Sequence, residues 1–170
     1  VTLNANANNR GASASAYGTV QIGKFTVTGN YSYNNQFNSL RSYSESERED
    51  FTSEDYKYLT QNSSHKSKSY SQFGYMEGSY EIDTLNLITF SANLFGYGLE
   101  STGLGTTQMM NAQRQHAYSY NLVTRSENSS THFNANFDYQ RSFKKKGEYL
   151  TFSYRYGTSP NTSESHTDYD

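Results

Sequence analysis

The sequence contains no cysteine and no tryptophan, and only one proline, Pro160, among its 170 residues. Without thiols there is no disulfide framework, no thiolate zinc site and no thiol redox chemistry. No run of about 18 apolar residues occurs, which excludes a transmembrane helix, and no charged start followed by an apolar stretch marks a secretion signal. A dominant charge is missing too. Fourteen Lys and Arg stand against 16 Asp and Glu, and the basic residues are scattered apart from Lys144, Lys145 and Lys146. No nucleic-acid partner is therefore expected. Aliphatic bulk is scarce, with a hydrophobic fraction of 33% and a mean hydropathy of -0.93, a polarity that on its own would suggest disorder.

What the chain does have is aromatic rings, 17 Tyr and 10 Phe, and they are placed in order. Phe25, Val27, Gly29, Tyr31 and Tyr33 alternate with Thr26, Thr28, Asn30 and Ser32, the period of a half-buried strand. The pattern returns at Met76, Gly78, Tyr80 and Ile82, at Ile88, Phe90, Ala92 and Leu94, at Phe133, Ala135, Phe137 and Tyr139, and at Leu150, Phe152, Tyr154 and Tyr156. Upstream, Val1, Leu3, Ala5 and Ala7 alternate with polar residues, and Tyr17 to Ile22 leads into Phe25 through Gly23 and Lys24. Apolar residues at i, i+3, i+4 are not sustained, so helix is not expected. The pattern predicts an all-β chain, an antiparallel up-and-down meander of about seven strands, with residues 1–170 forming one segment.

The joins divide into two kinds. Those at Gly23, at Asp83 to Asn86 and at Lys144 to Glu148 read as tight, with Gly147 available for a positive φ. Those over Asn35 to Lys68 and Gly98 to Gln115 read as long polar loops. In a meander the alternate joins share a rim, so short turns would collect at one rim and long loops at the other, as in outer-membrane barrels. Alternation alone leaves two environments open for the aromatic rows: a second sheet, as in a soluble sandwich, or lipid around a barrel with a wet lumen. The excess of Tyr over any one of Leu, Ile or Val favours the barrel, because every Tyr hydroxyl in a dry core needs a partner while interfacial girdles tolerate them.

Gly23-Lys24-Phe25-Thr26-Val27-Thr28-Gly29-Asn30-Tyr31-Ser32-Tyr33, Ser69-Tyr70-Ser71-Gln72-Phe73-Gly74-Tyr75, and Phe133-Asn134-Ala135-Asn136-Phe137-Asp138-Tyr139 with Lys146-Gly147-Glu148-Tyr149-Leu150 resemble barrel strands of the Bacteroidetes outer-membrane β-barrel family related to TonB-dependent receptors. The likeness is of texture and order and extends over most of the chain. It implies a fragment of a larger barrel in the bacterial outer membrane, with lipid as its surroundings. For the parent protein it implies nutrient import, with the TonB system and a surface lipoprotein as partners. No plug-like segment and no TonB box is recognisable. The chain begins in mid-strand at Val1, ends with Tyr169-Asp170 and has an odd tally of strands, all expectations of an excised piece whose edge strands would self-associate.

Chemistry-bearing motifs are sparse. His65, His116, His132 and His166 are dispersed, and the acids at Glu45, Glu47, Glu49, Asp50, Glu54 and Asp55 lack the spacing of a calcium loop. Ser-rich stretches lack a nucleophile elbow, and Gly98 to Gly105 lacks a P-loop lysine and reads as a flexible loop. No catalytic, metal or cofactor site is expected, and no enzyme. Met109 and Met110, in the polar loop, together with Tyr97 and Tyr118, are candidates for contacting a ligand or partner, with Tyr120 beside them. A soluble β-sheet binding module or surface adhesin, with its aromatic rows stacking on carbohydrate, is the alternative reading.

Overall fold

The computed structural model describes residues 1–53, 55–145 and 147–170, with the side chains of Asn38, Ser39 and Leu40 left aside. Glu54 of the acidic cluster and Lys146 of the lysine run therefore lie outside the described residues. Among the described residues there is no helix. Eight strands form one antiparallel sheet: β1 (Thr2–Ala7), β2 (Ala12–Ile22), β3 (Phe25–Glu49), β4 (Tyr58–Asp83), β5 (Asn86–Met110), β6 (His116–Ser142), β7 (Tyr149–Thr158) and β8 (Asn161–Tyr169). The order is β1-β2-β3-β4-β5-β6-β7, with β8 also on β6. The sheet is a meander, and its two ends do not pair with each other among the described residues.

β7 and β8 are one course of chain interrupted. Phe133 pairs with Thr158, and farther along β6 the Thr131 N–H donates to Pro160 O while Asn121 and Asp170 exchange both backbone bonds. The break falls at Pro160, whose ring nitrogen carries no hydrogen for the ladder. The meander of about seven strands is thus present, with its last member cut in two.

The two long loops expected from the sequence are not loops. β3 runs on to Glu49 and β4 begins at Tyr58, while β5 runs to Met110 and β6 begins at His116. Tyr97, Met109, Met110 and Tyr118 are strand residues, as are Gly98 to Gly105 and Glu45, Glu47 and Glu49. The contrast between short and long rims shrinks accordingly. The physical reason is that these stretches are polar on both faces, so no alternation of hydropathy marks them, yet their backbone groups are satisfied by neighbouring strands.

The turns are closed by Asn and Asp side chains that accept backbone N–H groups. Asn8 Oδ1 accepts from Arg10 and Gly11, Asp83 Oδ1 from Leu85 and Asn86, and Asn111 Oδ1 from Gln113 and Gln115. Asp50 Oδ1 accepts from both the N–H and the hydroxyl of Thr52. Gly23 (φ 58°) and Gly147 (φ 89°) take the left-handed conformation that their turns require.

The chain divides into two compact units, one of residues 1–36, 70–98 and 129–161, the other of residues 37–69, 99–128 and 162–170. In the first unit, register sorts the side chains. Ile22 pairs with Phe25, Val20 with Val27, Ala16 with Tyr31 and Ala14 with Tyr33, while Thr19 pairs with Thr28 and Ser15 with Ser32. Across the sheet Tyr139 pairs with Phe152, Phe137 with Tyr154 and Ala135 with Tyr156. Opposed residues share a face, so an apolar face and a polar face result. No hydrophobic side chain is buried among the described residues; this unit has no core of its own.

Candidate functional site

The apolar face is assembled by rings lying over glycines. A Cβ at Gly78 would stand 2.8 Å from Phe90 Cε1, and one at Gly98 2.8 Å from Tyr70 Cζ. At Gly74 a Cβ would meet Tyr31 at 3.3 Å and Leu94 at 3.6 Å. With the glycines bare, rings reach across a whole strand. Phe25 stacks with Phe90 across β4 at 6.3 Å between centroids, and Tyr33 stacks with Tyr70 on the adjacent strand at 6.2 Å. Tyr80 and Ile82 follow Gly78 at two-residue spacing, and Ile88 and Leu94 flank Phe90 likewise, so they share this face. Leu150 continues it opposite Arg141, and Phe133 contacts Tyr156 at 6.2 Å. All sixteen residues of the expected aromatic and aliphatic row therefore lie on one surface.

No described residue covers that surface. Phe137, on a strand with neighbours on both sides, is 39% exposed, and Phe152 is 61% exposed. Two of its hydroxyls find partners near by: Tyr31 donates to Gln72 Oε1 at 2.9 Å and Tyr139 to Asn86 Oδ1 at 2.6 Å.

The opposite face carries cross-strand polar pairs. Thr19 and Thr28 hydroxyls lie 3.1 Å apart, Asn134 Nδ2 donates to Asn93 Oδ1 at 3.2 Å, and Asn136 Nδ2 donates to Ser91 Oγ at 3.2 Å. Thr26, Thr28, Glu77, Ser79, Thr89, Ser91 and Asp138 line a groove there together with Gly78 and Phe90. The sorting is incomplete: Tyr17, opposite Asn30, and Tyr149, opposite Ser142, lie on the polar side. Phe73, Tyr75, Phe95 and Tyr97 also stand on the polar side, since Gly74, Gly96 and Gly98 face the other way. Phe95 and Tyr97 touch at 6.4 Å, and Phe73 and Phe95 border a second groove with Asn4, Asn6, Ser13, Ser15, Ser32 and Asn34. Period-two reading of each strand by itself could have found this patch from the odd-numbered aromatics of β4 and β5. Chemically it offers ring faces for stacking beside uncharged donors and acceptors.

Of the candidate contact residues, Tyr97 belongs to this patch in the first unit, and Met109, Met110 and Tyr118 belong to the second unit. Met109 borders a groove with Phe51, Tyr56 and Leu59, whereas Tyr118 leans on Tyr120 at 5.9 Å and Tyr120 on Tyr169 at 6.3 Å. The four are not gathered into one site. The second unit also holds a residue that motif reading passed over. Arg114, at φ 59°, lays its guanidinium 4.4 Å above the Tyr58 ring and 3.3 Å from Glu47 Oε1, fastening the β5–β6 turn. Elsewhere in this unit Lys66, Lys68, Glu100, Arg125, Glu127 and His166 line a groove of mixed charge, and His166 Nε2 lies 2.8 Å from Asp168 Oδ1.

Two side-chain carboxylates at turns titrate low. Asp50 sits below its ordinary pKa because Thr52 donates from its hydroxyl and its N–H. Asp83 is held down by the Leu85 N–H first and then by the Asn86 side chain. Both are structural turn groups. Among the described residues no three His, Asp or Glu side chains come together as a metal-binding group. No known protein-family model matches the chain, and no curated protein matches it.

Proposed function

We propose that this chain is a wall segment of an outer-membrane β-barrel of the TonB-dependent-receptor type, with its apolar face against lipid and its polar face toward a wet lumen. One observation carries the reading: in the first unit most Phe, Tyr, Leu and Ile side chains share the face opposite the Thr, Ser and Asn rows, yet no described residue covers that apolar side. In water an exposed face of this kind is a liability, and lipid satisfies it. A membrane β-strand needs about 9–11 residues, and the apolar stretch of β3, Phe25 to Tyr33, has that reach. The strands β3 to β6 are each 25 to 27 residues long, so only part of each meets lipid.

In this reading the role is transport, with no catalytic step. The parent barrel admits a nutrient past hydroxyl and amide rows and past the ring patch at Phe73, Phe95 and Tyr97, drawing on the TonB system and a surface lipoprotein as partners. Cell fractionation tests the assignment. The protein should remain with outer membranes through salt and alkaline washes and leave them only in detergent. Recovery as a soluble monomer without detergent would favour the soluble binding module or adhesin instead.

A further inference from the structure

β2 accompanies β3 only as far as the Ala12–Asn35 pair. There the chain turns away into β1 through Asn8 to Gly11, closed by the Asn8 N–H on Gly11 O at 2.9 Å. Beyond Asn35, β3 continues to Glu49 with β4 on one side and no strand on the other among the described residues. At its far end the Asp50 N–H donates to Lys57 O. Since backbone groups alternate sides along an antiparallel strand, Ser44, Ser46 and Arg48 turn theirs toward β4. Arg41, Tyr43, Glu45 and Glu47 turn theirs outward, into an unpaired ladder.

We infer that this edge takes the same edge of a second copy of the chain, antiparallel and centred on Tyr43. The sequence around Tyr43 is complementary to its own reverse. A two-fold axis through Tyr43 sets Arg41 opposite Glu45 of the second copy and Glu45 opposite its Arg41, with Ser42 facing Ser44 and ring facing ring. Opposite charges on facing residues stabilise an antiparallel pair and like charges oppose it, and a two-fold axis repeats each favourable contact. Tyr43 is 75% exposed, so the ring is free to serve as the central contact. Shifting the axis by one residue, to Ser44, places Arg41 against Glu47, which Arg114 already engages. Charge thus selects the Tyr43 register. This inference stands apart from the membrane reading, because it concerns only the second unit.

The test is sedimentation of the purified chain in density-matched detergent, combined with cross-linking. The chain has no cysteine, so Tyr43→Cys supplies a unique site for a short bis-maleimide. Asn4→Cys and Ser153→Cys report on the other edges. A concentration-dependent dimer is expected, cross-linked best through Tyr43→Cys. Arg41→Glu and Glu45→Arg should each weaken it about tenfold, and the double substitution should restore it, with strand content by circular dichroism unchanged throughout. A monomer at every concentration, a dimer indifferent to the charge swaps, or stronger cross-linking at Asn4→Cys or Ser153→Cys would overturn the inference.

Discussion

The ring of Phe90 lies over the bare backbone of Gly78, where a Cβ would come 2.8 Å from Phe90 Cε1 and 2.8 Å from Thr26 O. The glycine is what lets Phe90 span β4 and stack with Phe25 at 6.3 Å. An aromatic side chain placed over a strand glycine offsets the lost packing of that position. The apolar face is therefore continuous from strand to strand in spite of its many small residues.

Gly78→Ala sets a methyl group against both a ring and a carbonyl that belongs to the neighbouring strand's backbone. Such overpacking costs about 1–3 kcal/mol. At Gly98 the nearest atoms are all on the Tyr70 ring, which can swing aside, so Gly98→Ala should cost less. Denaturant unfolding in detergent micelles, comparing the two variants, checks the order. Equal stability would mean that the Phe90 ring is not fixed over Gly78.

Pro160 breaks β7 from β8 by withholding one donor from the ladder, although its carbonyl still accepts from Thr131 at 3.0 Å. Pro160→Thr restores the donor. It should join the two strands into one and add about 1 kcal/mol or less, the net worth of a single hydrogen bond. Hydrogen exchange reads this directly, as slow exchange of the new amide at position 160.

The first unit was legible in the sequence and the second was not, for one physical reason. From Phe25 to Tyr33 or from Phe133 to Tyr139, one face is apolar, so hydropathy alternates and betrays the strand. From Ser42 to Glu49 and from Ser63 to Lys68 both faces meet water, alternation vanishes, and what holds the strand is a neighbour that no local pattern reveals. Gly98 to Gly105 misled similarly. Its glycines signal a loop in isolation, but Gly98 is there to admit the Tyr70 ring, and Gly105 would place a Cβ at an ordinary 3.6 Å from Leu122. The period-two alternation that puts the aromatic row on one face was readable residue by residue. The patch at Phe73, Phe95 and Tyr97 was obscured because its rings sit on the side where polar residues were expected.

Asp83 closes the β4–β5 turn by accepting the Leu85 and Asn86 N–H groups at 2.8 and 2.9 Å. Hydrogen bonds from the Leu85 N–H, then from the Asn86 side chain, lower its pKa from the ordinary value of 3.8. Because the folded state holds the depressed value, the turn's stabilisation is complete above pH 3.8 and is lost as pH falls through the folded pKa. Asp83→Asn keeps an acceptor oxygen in place and should abolish that acid sensitivity while retaining the turn. Carbon-13 titration of the Asp83 carboxyl, followed with the Leu85 amide shift, tests the sign; a midpoint at or above the ordinary value contradicts it.

The uncovered aromatic face bears the weight of the membrane reading, and the absence of native tryptophan makes it directly measurable. Phe137→Trp and Phe152→Trp place a lone indole on the apolar face, and Asn136→Trp and Ser153→Trp place one on the polar face of the same strands. In vesicles containing chain-brominated lipid, the first pair should emit to the blue and be quenched several-fold more strongly than the second. Equal quenching on both faces, or stronger quenching at Asn136→Trp and Ser153→Trp, would contradict the account.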